Sequence, residues 1–75
     1  MTVFPSKGAG QMLRILKKIG YRVARQEGSH RVMTCPQRPD ILFSYHGNVT
    51  VPPGVVRKIL LKDVGLTEQD ALKLL

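Results

Sequence analysis

The chain has 75 residues, enough for one domain and too few for two. Twelve Lys and Arg against five Asp and Glu leave a formal charge of +7, which favours a polyanionic partner: nucleic acid, an acidic membrane face or an acidic protein. One cysteine, Cys35, excludes an internal disulfide; no Cys/His spacing suits zinc, no apolar run approaches the ~18 residues of a membrane span, and Met1–Lys7 lacks the apolar region of a signal peptide.

The lone thiol fits a reducing compartment, so the expected location is the cytoplasm, with no metal, cofactor or small-molecule ligand. A domain this small buries only about 60% of the surface its unfolded chain exposes. With no disulfide or metal staple, a protein partner or self-association is the expected source of extra stability.

Ser6 offers a helix cap. Met12, Ile15, Leu16 and Ile19 follow the spacing of one buried helical face. Gly20 supplies the stop, and Lys17 and Lys18 sit in the last turn, where cations oppose the dipole. Residues 7–19 therefore predict a helix. From Tyr21 the period becomes two, with Tyr21, Val23 and Arg25 facing one way and Arg22, Ala24 and Gln26 the other.

Glu27-Gly28-Ser29 reads as a turn, and His30 to Cys35 as the returning strand. Pro36 to Pro39 reads as a loop, Ile41 to Tyr45 as a third strand, His46-Gly47-Asn48 as a turn and Val49 to Val51 as extended chain. Pro52-Pro53-Gly54 opens a second helix, because a missing N–H costs nothing in a first turn. Val56, Ile59 and Leu60 form its buried face, and Gly65 stops it. Thr67 with Asp70 resembles a capping box ahead of a short helix over residues 68–74, with Ala71, Leu72 and Leu75 inward.

Sequential strands joined by short turns pair antiparallel. The expected fold is α+β: a three-stranded antiparallel sheet with the helices packed on one face. This αβββα order is that of the double-stranded-RNA-binding domain. Fold alone does not settle function.

The function-bearing signals cluster early. Residues 7–31 carry Lys7, Arg14, Lys17, Lys18, Arg22, Arg25 and Arg31 against only Glu27. His30 lies within that basic half. Leu16-Lys17-Lys18-Ile19-Gly20-Tyr21, the Gly28-Ser29-His30 triplet, the His46-Gly47 pair, and Pro53-Gly54 followed by Val56-Arg57-Lys58-Ile59-Leu60 together resemble the HicA (YcfA-like) toxins over roughly residues 10 to 66. Relatives often carry a proline shortly before the second histidine, where this chain has Phe43-Ser44-Tyr45.

The resemblance implies a dsRNA-binding-like fold and an endoribonuclease that cleaves mRNA. It also implies a HicB antitoxin that covers the active histidine, which here is His30. Histidine suits such chemistry because it ordinarily titrates near neutral pH. Lys17, Lys18, Arg25, Gly28, Ser29 and Arg31 are the expected RNA-contacting residues, with Arg31, Arg25 and Lys18 the sources of positive charge at the scissile phosphate.

Simpler roles compete for each. Lys17 and Lys18 suit a solvated helix end, Ser29 and Gly28 suit a turn, and His46 suits an exposed loop. Cys35, Tyr21 and Phe43 suit the core, and aromatic content is too low for a single-strand stacking platform. The alternative functions are a non-catalytic RNA-binding module and a pure protein-docking domain.

Overall fold

A computed structural model describes residues 4–28, 30–45 and 47–75. In chain order it holds β1 (Lys7–Gly8), α1 (Ala9–Ile19), β2 (Arg22–Glu27), β3 (His30–Cys35), β4 (Arg38–Phe43), β5 (Thr50–Val51), α2 (Pro53–Lys58), a π-helical turn (Ile59–Asp63) that continues α2, and α3 (Glu68–Lys73). Strands β2, β3 and β4 form an antiparallel sheet in that order, and β1 pairs with β5 in a small second ladder. The α+β architecture expected from the sequence is the one observed.

Helix α1 starts two residues later than its pattern predicts. Lys7 and Gly8 pair with Val51 and Thr50, so the chain enters the helix from a strand, and Ser6 lies ahead of it. Gly8 takes the cap position instead, and its N–H donates to Gln11 Oε1 at 2.9 Å. Met12, Ile15 and Leu16 are buried as the spacing requires. The helix ends at Gly20, whose φ of 126° only glycine adopts comfortably. Gly20 N–H donates to Leu16 and Lys17 carbonyls, and Tyr21 N–H to the Leu16 carbonyl.

Strand β4 begins at Arg38, earlier than the loop reading of Pro36 to Pro39 allowed. Cys35 pairs with Arg38, so Pro36 and Gln37 alone make the turn, with Gln37 at φ 66°. Pro39 is tolerated because β4 is an edge strand that need not donate from that position. The strand stops at Phe43, so Ser44 and Tyr45 lie beyond it.

Met33, Cys35, Ile41 and Phe43 point to one face of the sheet and join Met12, Leu16, Val56, Ile59, Leu60 and Val64 in a single core. Alternate positions Val32, Thr34, Asp40 and Leu42 point to the other face, where none of them is buried. Both main helices therefore cover one face and leave the other free.

Thr67 Oγ1 accepts from Asp70 N–H at 3.1 Å, which caps α3. Ala71 is buried as expected, but Leu72 is exposed. Leu75 packs against the core as expected, and Leu74 does so in place of Leu72.

Candidate functional site

The period of a strand decides what can meet His30. In the β2–β3 ladder Arg22 pairs with Thr34 and Val23 with Met33, but then Arg25 pairs with Val32, Gln26 with Arg31 and Glu27 with His30. The register shifts between Val23 and Arg25, so Ala24 is a bulge residue opposite no partner of its own. A bulge inserts one step and reverses the faces beyond it. Arg25 was expected on the side of Tyr21 and Val23; the bulge turns it instead to the helix-free face, alongside Val32.

His30 is exposed on that same face. Arg25, Glu27, His30, Val32 and Leu42 together line a depression of about 180 Å³. Its floor is apolar, from the cross-strand pair Val32 and Leu42, and Leu42 is 64% exposed. Its polar rim comes from the hairpin end: a guanidinium, a carboxylate and an imidazole. Such a set can bind a phosphate and move a proton beside it.

The other expected site residues fall elsewhere. Arg31 follows His30 directly, so it points to the opposite face, paired with Phe43 and Gln26. Its Nη1 donates to the Tyr45 carbonyl at 3.1 Å. Lys17 and Lys18 lie on α1, in the helical layer. With Lys7, Arg14, Ile15 and Leu74 they line a larger groove of about 590 Å³. That groove is rich in cations but, among the described residues, is lined by neither an imidazole nor a carboxylate side chain.

Of the cations expected around His30, the structure thus brings only Arg25 to it. Gly28, at φ 58°, follows β2, and a side chain built there would meet nothing within 4 Å. The backbone is open to an approaching molecule at that point. Ser29 and His46 lie outside the described residues.

Nothing in the sequence marks Glu27, Val32 or Leu42 as site residues. Glu27 reads there as a turn residue, and only the register shows it standing opposite His30. Val32 and Leu42 each read as a strand residue with no assigned face until pairing is known.

Among the described residues no group of three His, Cys, Asp or Glu side chains is placed to hold a metal ion, and no helix is long and apolar enough to cross a membrane. No curated protein matches the chain. A family model described as the HicA toxin of bacterial toxin–antitoxin systems matches residues 9–66, from the start of α1 through the sheet and past the π-helical turn. The chain therefore belongs to the HicA toxin family, the toxin half of a bacterial toxin–antitoxin pair with a cognate antitoxin as its partner.

Proposed function

We propose that this toxin is an endoribonuclease that cleaves mRNA in the cytoplasm without a metal ion, with His30 as its catalytic residue. The observation that carries this reading is the position of His30: exposed, on the helix-free face, in a depression it shares with Arg25. RNA contains its own nucleophile, the 2′-hydroxyl. Cleavage needs that proton removed and the departing 5′-oxygen protonated, and a placed imidazole serves such transfers with gains of roughly 10²–10⁴-fold. The phosphorus centre gains negative charge on the way, which favours a fixed cation beside it; Arg25 is that cation.

The open backbone at Gly28 lets a strand approach His30 closely, and Ser29 is proposed to hold a phosphate oxygen. Lys17 and Lys18 serve phosphates farther along the same RNA, through the α1 groove. Arg31, engaged with the Tyr45 carbonyl on the core side, ties the chain beyond β4 to the sheet rather than touching substrate. The cognate antitoxin is proposed to be of the HicB type and to neutralise the toxin by covering His30.

Controlled expression of the wild type and of His30→Ala tests the reading. The wild type should arrest growth and fragment cellular mRNA, and the variant should do neither while melting at the same temperature, since His30 supports no core contact. Equal fragmentation by both proteins would remove His30 from the chemistry. RNA binding without cleavage by either would favour the non-catalytic RNA-binding module.

A further inference from the structure

We infer that Glu27 is the second proton-transfer group of this site, the base that accepts the 2′-hydroxyl proton while His30 protonates the leaving 5′-oxygen. The inference rests on the ribonuclease reading above and deepens it. RNA cleavage by this route needs two proton transfers on opposite sides of one phosphorus, and a single imidazole performs both in one step only with difficulty. A second group is therefore to be sought within a few ångströms of His30, on the same face and open to solvent.

Glu27 meets each condition. It is the direct cross-strand partner of His30 at the end of the β2–β3 hairpin. Side chains so paired leave the sheet on the same side with Cβ atoms about 4.5–5.5 Å apart, a gap that a phosphate can straddle. Both residues are exposed and line the same depression. The ion pairs among the described residues are Arg57–Glu68 and Lys58–Asp63, so neither engages Glu27.

The charged groups on this face are Arg22, opposite Thr34, and Arg25 on β2, the latter two residues from Glu27, with His30 across from Glu27 on β3 and Asp40 on β4. Arg25 is thus placed to hold a non-bridging oxygen between the two proton carriers. The division of roles follows from the chemistry of the two groups: a carboxylate can only accept a proton, whereas an imidazolium has one to donate.

The step balances as follows. The 2′-O–H bond breaks and its proton passes to the Glu27 carboxylate. The 2′-oxygen bonds to phosphorus, the P–O5′ bond breaks, and the 5′-oxygen takes the proton of the His30 imidazolium. The products are a 2′,3′-cyclic phosphate and a free 5′-hydroxyl, with Glu27 protonated and His30 neutral. Exchange with water resets both.

The test compares wild type, Glu27→Gln and His30→Ala on an RNA oligonucleotide. A second oligonucleotide carries sulfur in place of the bridging 5′-oxygen, a leaving group that needs no proton. Glu27→Gln should lose at least 100-fold in kcat/KM, lose the acid-side limb of the pH profile, and stay slow on the sulfur substrate. His30→Ala should be slow on the normal substrate and recover on the sulfur one. Thermal melts identify any loss caused by unfolding, which is not expected at an exposed hairpin end.

If Glu27→Gln cuts within a few-fold of wild type with its acid limb intact while His30→Ala is inactive, the role of Glu27 is overturned and the ribonuclease reading stands. Recovery of Glu27→Gln, rather than His30→Ala, on the sulfur substrate overturns the assignment equally. A wild type that does not cut, or a His30→Ala that cuts normally, overturns both.

Discussion

Arg25 stands opposite Val32, although it lies two residues from Val23, whose partner is the adjacent Met33. That single extra step at Ala24 converts a core-side position into a position on the face of His30. The proposed role of Arg25 follows from the bulge, and its removal has a specific signature. Arg25→Ala should lower kcat/KM by about 10- to 100-fold and flatten the salt dependence of RNA binding, with log K against log salt shallower by about 0.7 for one lost phosphate contact. Arg25→Lys should keep the slope, since the charge remains, and recover only part of the rate, since a planar fork fits phosphate better than a point charge does. Arg31→Ala, by contrast, should leave the slope alone and cost about 1 kcal/mol of stability through the lost bond to the Tyr45 carbonyl. Binding titrations at several salt concentrations and urea unfolding separate the two arginines.

Lys17 and Lys18 face a different groove from His30. A Lys17→Ala/Lys18→Ala protein should therefore raise KM for a long RNA while kcat holds, the pattern of lost uniform binding. Its salt slope should fall by about 1.4 if both lysines touch phosphate. A kcat reduced in step with that of Arg25→Ala would place these lysines at the reacting centre instead. Steady-state kinetics on one RNA at fixed salt distinguishes the outcomes.

Gly20 should be intolerant of any side chain for two separable reasons. Its φ is 126°, and an added Cβ would come within 3.2 Å of Cys35 Sγ. Gly20→Ala is expected to cost about 1–3 kcal/mol, the range for a strained backbone position. Adding Cys35→Ala removes the close sulfur and leaves the strain, so the double variant should remain less stable than Cys35→Ala alone. Chemical denaturation of the three proteins gives the cycle.

Tyr21 is buried at 3% exposure, and its hydroxyl donates to the Pro39 carbonyl at 2.8 Å. Burial pushes its pKa above the usual phenol value; nearby Cys35, Asp40 and Asp63 add to the rise and Arg38 opposes it. The folded state thus prefers the neutral phenol. For a group whose folded pKa is raised, the stability it contributes is fully present below the unfolded value of about 10 and is lost as pH climbs through the folded one. Wild type should therefore lose stability above about pH 10 more steeply than Tyr21→Phe, which lacks the titrating group. Below that range Tyr21→Phe should be less stable by about 1 kcal/mol for the missing hydrogen bond. Unfolding midpoints of both proteins from pH 7 to 11 check the crossing trend.

Local pattern carried much of the fold. Helix α1 is readable because Met12, Ile15 and Leu16 repeat at helical spacing and Gly20 provides a stop that other residues resist. Strand β3 is readable because the period becomes two at Tyr21 and Gly28 then announces the turn from which the chain returns. The errors fall where contacts between elements decide. Ser6 has the chemistry of a cap, yet β1 pairs with β5, remote in sequence, and moves the cap to Gly8. Pro36 and Pro39 resemble a loop, yet Cys35 pairs with Arg38 and draws Pro39 into an edge strand. Leu72 fits an inward helical position, but the way α3 docks turns Leu74 to the core in its place, beside Leu75.

His30 itself is legible in the sequence, through the Gly-Ser-His triplet within a basic half of the chain, and so is the surplus of positive charge around it. Those are properties of residue identity and order. Its neighbours are not legible, because the face a strand residue occupies depends on register, and register belongs to two strands at once. Alternation along β2 assigns Arg25 to the core side; pairing with β3 introduces the bulge that reverses it. The same pairing sets Glu27 across from His30, puts Val32 and Leu42 beneath them, and sends Arg31 to the other face. The sequence determined which chemistry the chain possesses, and only the tertiary structure decided which of those groups stand together.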